Sequence, residues 1–99
     1  MILVTGSITA RNDTIDEVRK LSLEHVHRSR LESGCLLHSV QSDCENPLRL
    51  VFVEHWADRA ALAAHFEVPA SRNFIRALKP LTESVSAIEI FDATRLEKL

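Results

Sequence analysis

Apolar residues occupy every second position along four stretches of the chain, and a period of two is typical of β-strands that bury one face. In the first stretch, Ile2, Val4 and Ile8 point one way, while the intervening and mostly polar positions point the other. The four stretches are residues 2–10, 35–43 and 48–56 and a last one around Ile88 and Ile90. This pattern predicts a four-stranded sheet.

Between the first two strands, apolar residues recur three and four positions apart, as they do on the buried face of an α-helix. Thr14 and Glu17 fit a capping box, in which the Thr14 hydroxyl accepts a hydrogen bond from the Glu17 amide. Gly34 provides a stop, since glycine is the usual residue just past a helix C-terminus. The pattern therefore predicts a helix from Thr14 to about Glu32, with His25 at the edge of its buried stripe.

The segment after the third strand predicts two shorter helices. Asp58 is the expected N-cap of a helix over residues 58–66. Pro69 and Pro80 divide the following segment into a loop and a second helix over residues 71–78. The element order is then β-α-β-β-α-β, which indicates a ferredoxin-like α+β fold with a four-stranded antiparallel sheet.

Two of the predicted strands are apolar on both faces. Phe52 lies on one face of the third strand, yet Val51 and Val53 make the other face apolar as well, and Ile90 and Phe91 repeat this in the last strand. Helices cover only one face of such a sheet, and an uncovered face is normally polar. We therefore expect a second copy of the chain to pack sheet against sheet in a homodimer.

The chain has 99 residues, of which 45% are hydrophobic and 26% charged, and its formal net charge is -2. This length corresponds to a single domain, residues 1–99, that is large enough to bury a core. The charge leaves no basic surface for nucleic acid or for an anionic membrane. No stretch approaches the ~20 apolar residues of a membrane span, and the N-terminus lacks the regions of a signal peptide. We expect a cytoplasmic protein.

Cys35 and Cys44 bracket the second predicted strand, so they would stand about 30 Å apart and cannot form a disulfide. The same separation prevents them from sharing a metal ion, and the chain contains neither a CxxC nor an HExxH motif. We expect two free thiols, no bound metal and no cofactor.

Three short motifs, taken in order, resemble the antibiotic biosynthesis monooxygenase family. They are Glu32-Ser-Gly34-Cys35-Leu36 at the exit of the first helix, Glu54-x-Trp56 at the end of the third strand, and Ala60-Ala61-Leu62-x-x-His65 on the next helix. The resemblance spans nearly the whole chain and implies a dimeric α+β barrel, in which the sheets of two subunits close on each other. It also implies a pocket in each subunit between the sheet and the helices.

Members of this family include cofactor-independent oxygenases of quinols and anthrones, haem-degrading enzymes, and an isomerase of a phosphorylated dione. The catalytic Asn of the haem degraders aligns with Gly6, their Trp with His65, and their haem ligand falls near Asn73, so the resemblance does not extend to haem degradation. An anthrone-type substrate is only half supported, since Trp56 and Arg76 match the anthrone oxygenases but two other positions do not.

Five residues form the expected centre of the pocket. By alternation Phe52, Glu54 and Trp56 share a face, and the resemblance turns that face toward the helices, where His65 and His38 converge with it. Oxygenation without a cofactor needs an apolar slot for an electron-rich ring and a base that stabilises the substrate anion, so that it can pass an electron to O2. Histidine suits that proton step. We expect His65 and His38 to be catalytic; the alternative is that His65 and Glu54 only lock helix onto strand.

Gly6, His25 and Arg76 complete the expected pocket. Gly6 leaves room for a ligand on the apolar face of the first strand, or marks a bulge. His25 lines the pocket or is structural, and Arg76 holds an anionic substrate or is solvated. His27 and His55 are assigned to the surface or the interface.

The first hypothesis for function is a cofactor-independent monooxygenase that uses O2 on a small aromatic or quinol substrate. The second is an isomerase or another proton-transfer enzyme that acts on a small, possibly phosphorylated, carbonyl compound. The third is a dimer that binds a small ligand without catalysis.

Overall fold

The computed structural model describes all 99 residues and contains one antiparallel sheet backed by helices. The strands are β1 (Ile2–Ala10), β2 (Cys35–Asp43), β3 (Asn46–Trp56), β4 (Thr82–Val85) and β5 (Glu89–Asp92). The helices are α1 (Ile15–Ser29), α2 (Arg59–Glu67) and α3 (Pro69–Leu78), and a 3-10 turn follows at Lys79–Leu81. The ferredoxin-like α+β fold expected from the sequence is confirmed.

The strand order is β2-β3-β1-β4, and β5 also pairs with β1. The last strand, expected to be continuous, is split: β4 pairs with the end of β1 and β5 with its beginning. Between them Ser86 bridges to Ser7, whose carbonyl accepts from the Ser86 N–H at 2.9 Å and whose N–H donates to the Ser86 hydroxyl at 2.8 Å. The sheet therefore has five strands instead of four, because the edge leaves the regular ladder opposite Gly6 and Ser7.

Helix α1 begins without the predicted capping box. The Thr14 hydroxyl accepts from the Arg11 N–H at 3.0 Å and donates to the Leu81 carbonyl at 2.6 Å, and it makes no bond to the Glu17 amide. The hydroxyl is thus occupied by a contact distant in sequence, which ties the start of α1 to the 3-10 turn.

The ends of the helices agree only in part with those predicted from the sequence. Helix α1 ends at Ser29, before the expected Glu32, and turns lead on to Gly34. The Asp58 carboxylate caps α2 as expected, accepting from the Ala61 N–H at 2.8 Å. Helix α3 begins at Pro69 rather than after it, because proline fits the first helical turn, where its missing N–H would have no partner.

The core lies between the helices and one face of the sheet. The inward faces of β1 and β3 are buried as predicted, with Ile2, Val4, Ile8, Leu50, Phe52 and Trp56 inside. In β2, alternation puts Leu36 on the same side as His38, but Leu36 is exposed, because the register of β2 on β3 shifts between Cys35 and Leu37. No helix is long and apolar enough to cross a membrane.

Candidate functional site

Three buried histidines from three different elements meet between the sheet and the helices. His25 comes from α1, His38 from β2 and His65 from α2. Their ring centroids are 5.2, 5.3 and 5.5 Å apart, so the rings form a nearly equilateral triangle. One ring nitrogen of each lies within 4.8 Å of the others. These are the residues that could hold a metal ion.

Local sequence explains how each ring reaches this point. His38 lies on the inward face of β2, directly opposite Glu54 in the register of β2 on β3. On α2, Leu62 and His65 are the buried pair, three positions apart on one helical face. Near the end of α1, His25 is buried on the same helical face as Ser22 and Ser29, and its carbonyl accepts from the Ser29 hydroxyl at 2.7 Å.

The Glu54 carboxylate connects this cluster to the sheet. Its Oε1 accepts a hydrogen bond from Trp56 Nε1 at 2.8 Å. The same oxygen lies 3.4 Å from His38 Nε2, close but outside hydrogen-bond alignment, and 3.9 Å from His65 Nε2. Burial by itself would raise the pKa of Glu54, but the nearby His38 ring and the Trp56 N–H outweigh it and hold that pKa below its usual value. Glu54 is therefore a carboxylate at neutral pH.

Glu32 fixes the tautomer of His65. Its Oε1 lies 2.9 Å from His65 Nδ1, and because a carboxylate only accepts, Nδ1 carries the proton. The lone pair of the neutral ring is then on Nε2, the nitrogen nearer to Glu54. Glu32 was not predicted as a site residue. The Glu32-Ser-Gly34 motif could have identified Glu32 as a site residue, because it places this carboxylate at the exit of α1.

His25 is held neutral by its surroundings. Burial, reinforced by the charges of His38 and His65, lowers the pKa of His25 from 6.5 to about 3. Its ring stacks on Phe74 of α3, with centroids 4.2 Å apart and planes 9° from parallel. Phe74 was also missed as a site residue, because the apolar spacing of α3 indicates only a core position.

A cavity of about 460 Å³ lies next to this cluster. Six of the eight predicted site residues line it: Gly6, His25, Phe52, Glu54, His65 and Arg76. Its walls are largely apolar, with Val4, Ile8, Phe74, Leu78 and Ile88 among them. Arg72 and Lys79 join Arg76 at the exposed part of the lining, and Arg72 is paired with Glu67 at 2.5 Å. The cavity thus combines an apolar body, a histidine-carboxylate wall and a basic edge.

The two remaining predicted residues, His38 and Trp56, lie outside the lining of the cavity. The Trp56 side chain is fully buried behind His65, with the ring centroids 4.6 Å apart. His38 is also fully enclosed. Both residues reach the cavity only through Glu54 and His65, which they contact.

Comparison with known proteins agrees with this architecture. The family model of antibiotic biosynthesis monooxygenases matches residues 1–77. An uncharacterized protein of Synechocystis sp., sll1783, is 31% identical over 98 residues, which are 99% of this chain and 67% of that protein. A structure from Deinococcus radiodurans, provisionally named an antibiotic biosynthesis monooxygenase, superposes with a TM-score of 0.94 at 27% identity, over 100% of this chain and 98% of that one.

Rv0793 from Mycobacterium tuberculosis shares the fold, with a TM-score of 0.89 at 21% identity over 98% of each chain. The match of the family model covers well over half of the sequence. The chain belongs to the antibiotic biosynthesis monooxygenase family.

Proposed function

We propose that this protein is a monooxygenase that inserts one atom of O2 into a small aromatic or quinol-type substrate without a cofactor. The observation that supports this is the apolar cavity of about 460 Å³ whose wall contains His25, Glu54 and His65. An apolar slot with a few converging polar groups is typical of sites for small aromatic ligands. Family membership supports the same class of chemistry.

His65 is the proposed base. Its Nδ1 is held by Glu32, so Nε2 is the nitrogen able to take the proton of a substrate hydroxyl. The imidazolium formed in this way would lie 2.9 Å from a Glu32 oxygen and 3.9 Å from a Glu54 oxygen, and opposite charges at these distances attract. His38, also proposed as catalytic from sequence, is a positioning residue in this scheme, because it touches Glu54 and not the cavity.

The substrate supplies all the electrons. Loss of the hydroxyl proton to His65 leaves an electron-rich anion that gives an electron to O2, and the two radicals combine into a peroxide. Loss of water from that peroxide gives a hydroxylated quinone, so that quinol plus O2 becomes hydroxyquinone plus H2O. Phe52 packs against the ring in this arrangement, and Gly6 leaves space for it.

Oxygen uptake tests the proposal. Protein freed of metals with EDTA is mixed with a panel of benzoquinols and naphthoquinols, and ¹⁸O2 is used to follow one labelled atom into the product. We expect His65→Ala to lower the rate by about 100-fold or more, as loss of a general base does. His27→Ala, an exposed histidine on α1, is the matched control. Uptake that is unchanged in both His65→Ala and His38→Ala would refute the assigned roles.

A proton-transfer enzyme for an anionic carbonyl compound is the second candidate, and the basic edge of the cavity favours it. Arg76 and Lys79 have no ion-pair partner within 4.0 Å, so both are available to an anionic group. The same histidine would then move a proton next to the carbonyl. Exchange of that proton with D2O, seen by NMR and lost in Arg76→Gln, would favour this reaction over oxygenation.

We also propose a homodimer, as the sequence suggests. The sheet face opposite the helices carries a row of paired positions, Leu37, His55, Leu3 and Phe91, that crosses the strands. Leu37 and Phe91 are 40% and 44% exposed, although both are large and apolar. An apolar sheet face of this kind supports sheet-on-sheet packing with a second copy.

A further inference from the structure

The histidine triangle contains polar atoms that nothing in the chain satisfies. His25 Nδ1 and both ring nitrogens of His38 are buried without an aligned hydrogen bond, although His38 Nε2 lies 3.4 Å from Glu54 Oε1. Native proteins rarely leave buried polar atoms without a partner, and here three of them occur within one cluster. Apolar packing does not remove this deficit. A neutral imidazole has one N–H and one nitrogen lone pair, so a ligand that accepts lone pairs satisfies one ring nitrogen of His25 and one of His38.

The contact between His65 and Glu54 indicates the charge of that ligand. Because His65 Nδ1–H donates its hydrogen bond to Glu32, Nε2 of the neutral ring presents a lone pair, and Glu54 Oε1 is 3.9 Å away from it. Two electron-rich atoms face each other across this gap. A cation between them converts a repulsion into two favourable contacts.

The spacing of the cluster suits a metal ion. The donor nitrogens lie within 4.8 Å of one another, and tetrahedral coordination at about 2.0–2.1 Å needs them about 3.3 Å apart. Small rotations of the side chains cover that difference. The Glu32–His65 bond supplies the carboxylate–histidine pairing that orients most metal-bound imidazoles.

We propose that His25, His38 and His65, with Glu54 as a fourth ligand, bind one divalent first-row transition metal ion per chain, with Zn²⁺ as the reference ion. Three imidazoles and one carboxylate are a ligand set that suits Zn²⁺ and its neighbours, whereas Mg²⁺ and Ca²⁺ prefer oxygen ligands. His25, Glu54 and His65 also line the cavity, so the ion has an entry path and stands where a small ligand would bind.

This site goes beyond the proposed function and does not rest on it. A metal ion on His65 Nε2 would occupy the lone pair that proton transfer uses, so one molecule cannot use His65 in both ways at once. Metal binding is measured directly, so the result of that measurement does not depend on whether the protein takes up oxygen.

The test uses the full chain without an affinity tag, treated with EDTA and then dialysed free of it. Titration with Co²⁺ should give visible ligand-field absorption of low-symmetry nitrogen and oxygen coordination that saturates at one ion per chain. Zn²⁺ should displace Co²⁺ and raise the thermal unfolding temperature, since an ion that binds only the native state stabilises it. No ligand-field absorption and no thermal shift would overturn the proposal.

Variants separate this site from surface histidines. We expect His38→Ala and His65→Ala to weaken Zn²⁺ binding at least about 100-fold, and Glu32→Gln about 10- to 100-fold through the orientation of His65. His27→Ala is the matched control, because His27 is exposed and lies on the same helix as His25, and it should bind like the wild type. Binding that is lost in His27→Ala and kept in His38→Ala and His65→Ala would refute the site.

Circular dichroism and Trp56 fluorescence establish whether each variant folds. If a variant does not fold, NMR of the wild-type protein identifies the metal ligands instead. Paramagnetic NMR shifts caused by Co²⁺ should fall on the imidazole protons of His25, His38 and His65. Shifts confined to His27 and His55 would overturn the proposal.

Discussion

Glu54 and His25 show how the site tolerates polar groups that are largely removed from water. Removing the Glu54 carboxylate from water costs free energy, and the hydrogen bond from the Trp56 N–H and the neighbouring imidazoles offset part of that cost. His25 Nδ1 has no hydrogen-bond partner, and because burial lowers the pKa of the ring, His25 is neutral at neutral pH. At the residue scale, Glu54 is therefore the group of this cluster that is held in its charged form at neutral pH, whereas His25 is held neutral.

The low pKa of His25 makes stability depend on pH. Its pKa is about 3 in the folded protein and 6.5 ordinarily, so between these values the unfolded chain binds a proton that the folded chain does not. The free energy of unfolding should therefore fall as the pH is lowered from 6.5 toward 3, by at most about 1.4 kcal/mol per pH unit from this residue. Glu54 adds a loss in the same direction as the pH falls through its own lowered pKa.

His25→Phe tests this at the residue scale, because phenylalanine keeps the stacking on Phe74 and cannot bind a proton. Urea unfolding in EDTA between about pH 4 and pH 7 should give a shallower pH dependence than the wild type. His27→Gln, which changes an exposed histidine of the same helix, should keep the wild-type slope. Parallel profiles for wild type and His25→Phe would contradict the low pKa.

At the element scale, the turn that follows α1 packs against the beginning of α2 at Gly34. The φ of Gly34 is 82°, a left-handed conformation that residues with a Cβ rarely adopt. A Cβ added there would lie 2.5 Å from the Ala61 Cβ, which is too close for two carbon atoms. The motif that resembles the family thus contains a glycine that brings the Glu32 turn close to α2, and with it the Glu32 carboxylate to His65.

Gly34→Ala should therefore destabilise the fold by more than about 1 kcal/mol, since strain at φ and a steric overlap both act. The free energy of unfolding in urea measures this. Ala61→Gly should relieve the overlap but not the strain, and it weakens α2 by itself, so the single variant Ala61→Gly is the reference. In that background Gly34→Ala should cost less than it does in the wild type, but not nothing. Full stability of Gly34→Ala would show that the turn adapts without strain.

Gly6→Ala is the matched comparison on a strand. A Cβ there would meet Ile88 Cγ1 at 3.7 Å, an ordinary contact, and Gly6 has no positive φ. We expect stability within about 1 kcal/mol of the wild type but weaker binding of aromatic ligands, because the added methyl group enters the cavity. Equal ligand affinity in Gly6→Ala and wild type would place the ligand elsewhere.

At the scale of the whole molecule, one face of the sheet is covered by helices and the other is apolar and uncovered. Phe91→Asp puts a charge into the row formed by Leu37, His55, Leu3 and Phe91, and we expect it to weaken the proposed dimer. Leu31→Asp, at a residue that is 89% exposed in the turn after α1, is the control. Light scattering at micromolar concentration should give twice the 11.2 kDa chain mass for wild type and control. A wild-type monomer would contradict the dimer.

Much of the architecture follows from local sequence pattern. Strand alternation identified the buried faces of β1 and β3, and Asp58 identified the start of α2, because these features depend on neighbouring residues. Thr14 shows the limit of such reasoning. Its capping box fits locally, yet the hydroxyl bonds to the Leu81 carbonyl, and no local pattern reports a partner so distant in the chain.

The candidate site was likewise predictable only in part. The fold class and the family could be predicted from strand alternation and from the order of the motifs, and six of the eight residues proposed for the site line the cavity. The positions of Trp56 and His38 behind the cavity and the hydrogen bond between Glu32 and His65 depend on packing between distant segments, which no local pattern reports. The tertiary structure also brought His25, His38 and His65 into one triangle, since three elements widely separated in the sequence must pack before three single histidines can become one cluster.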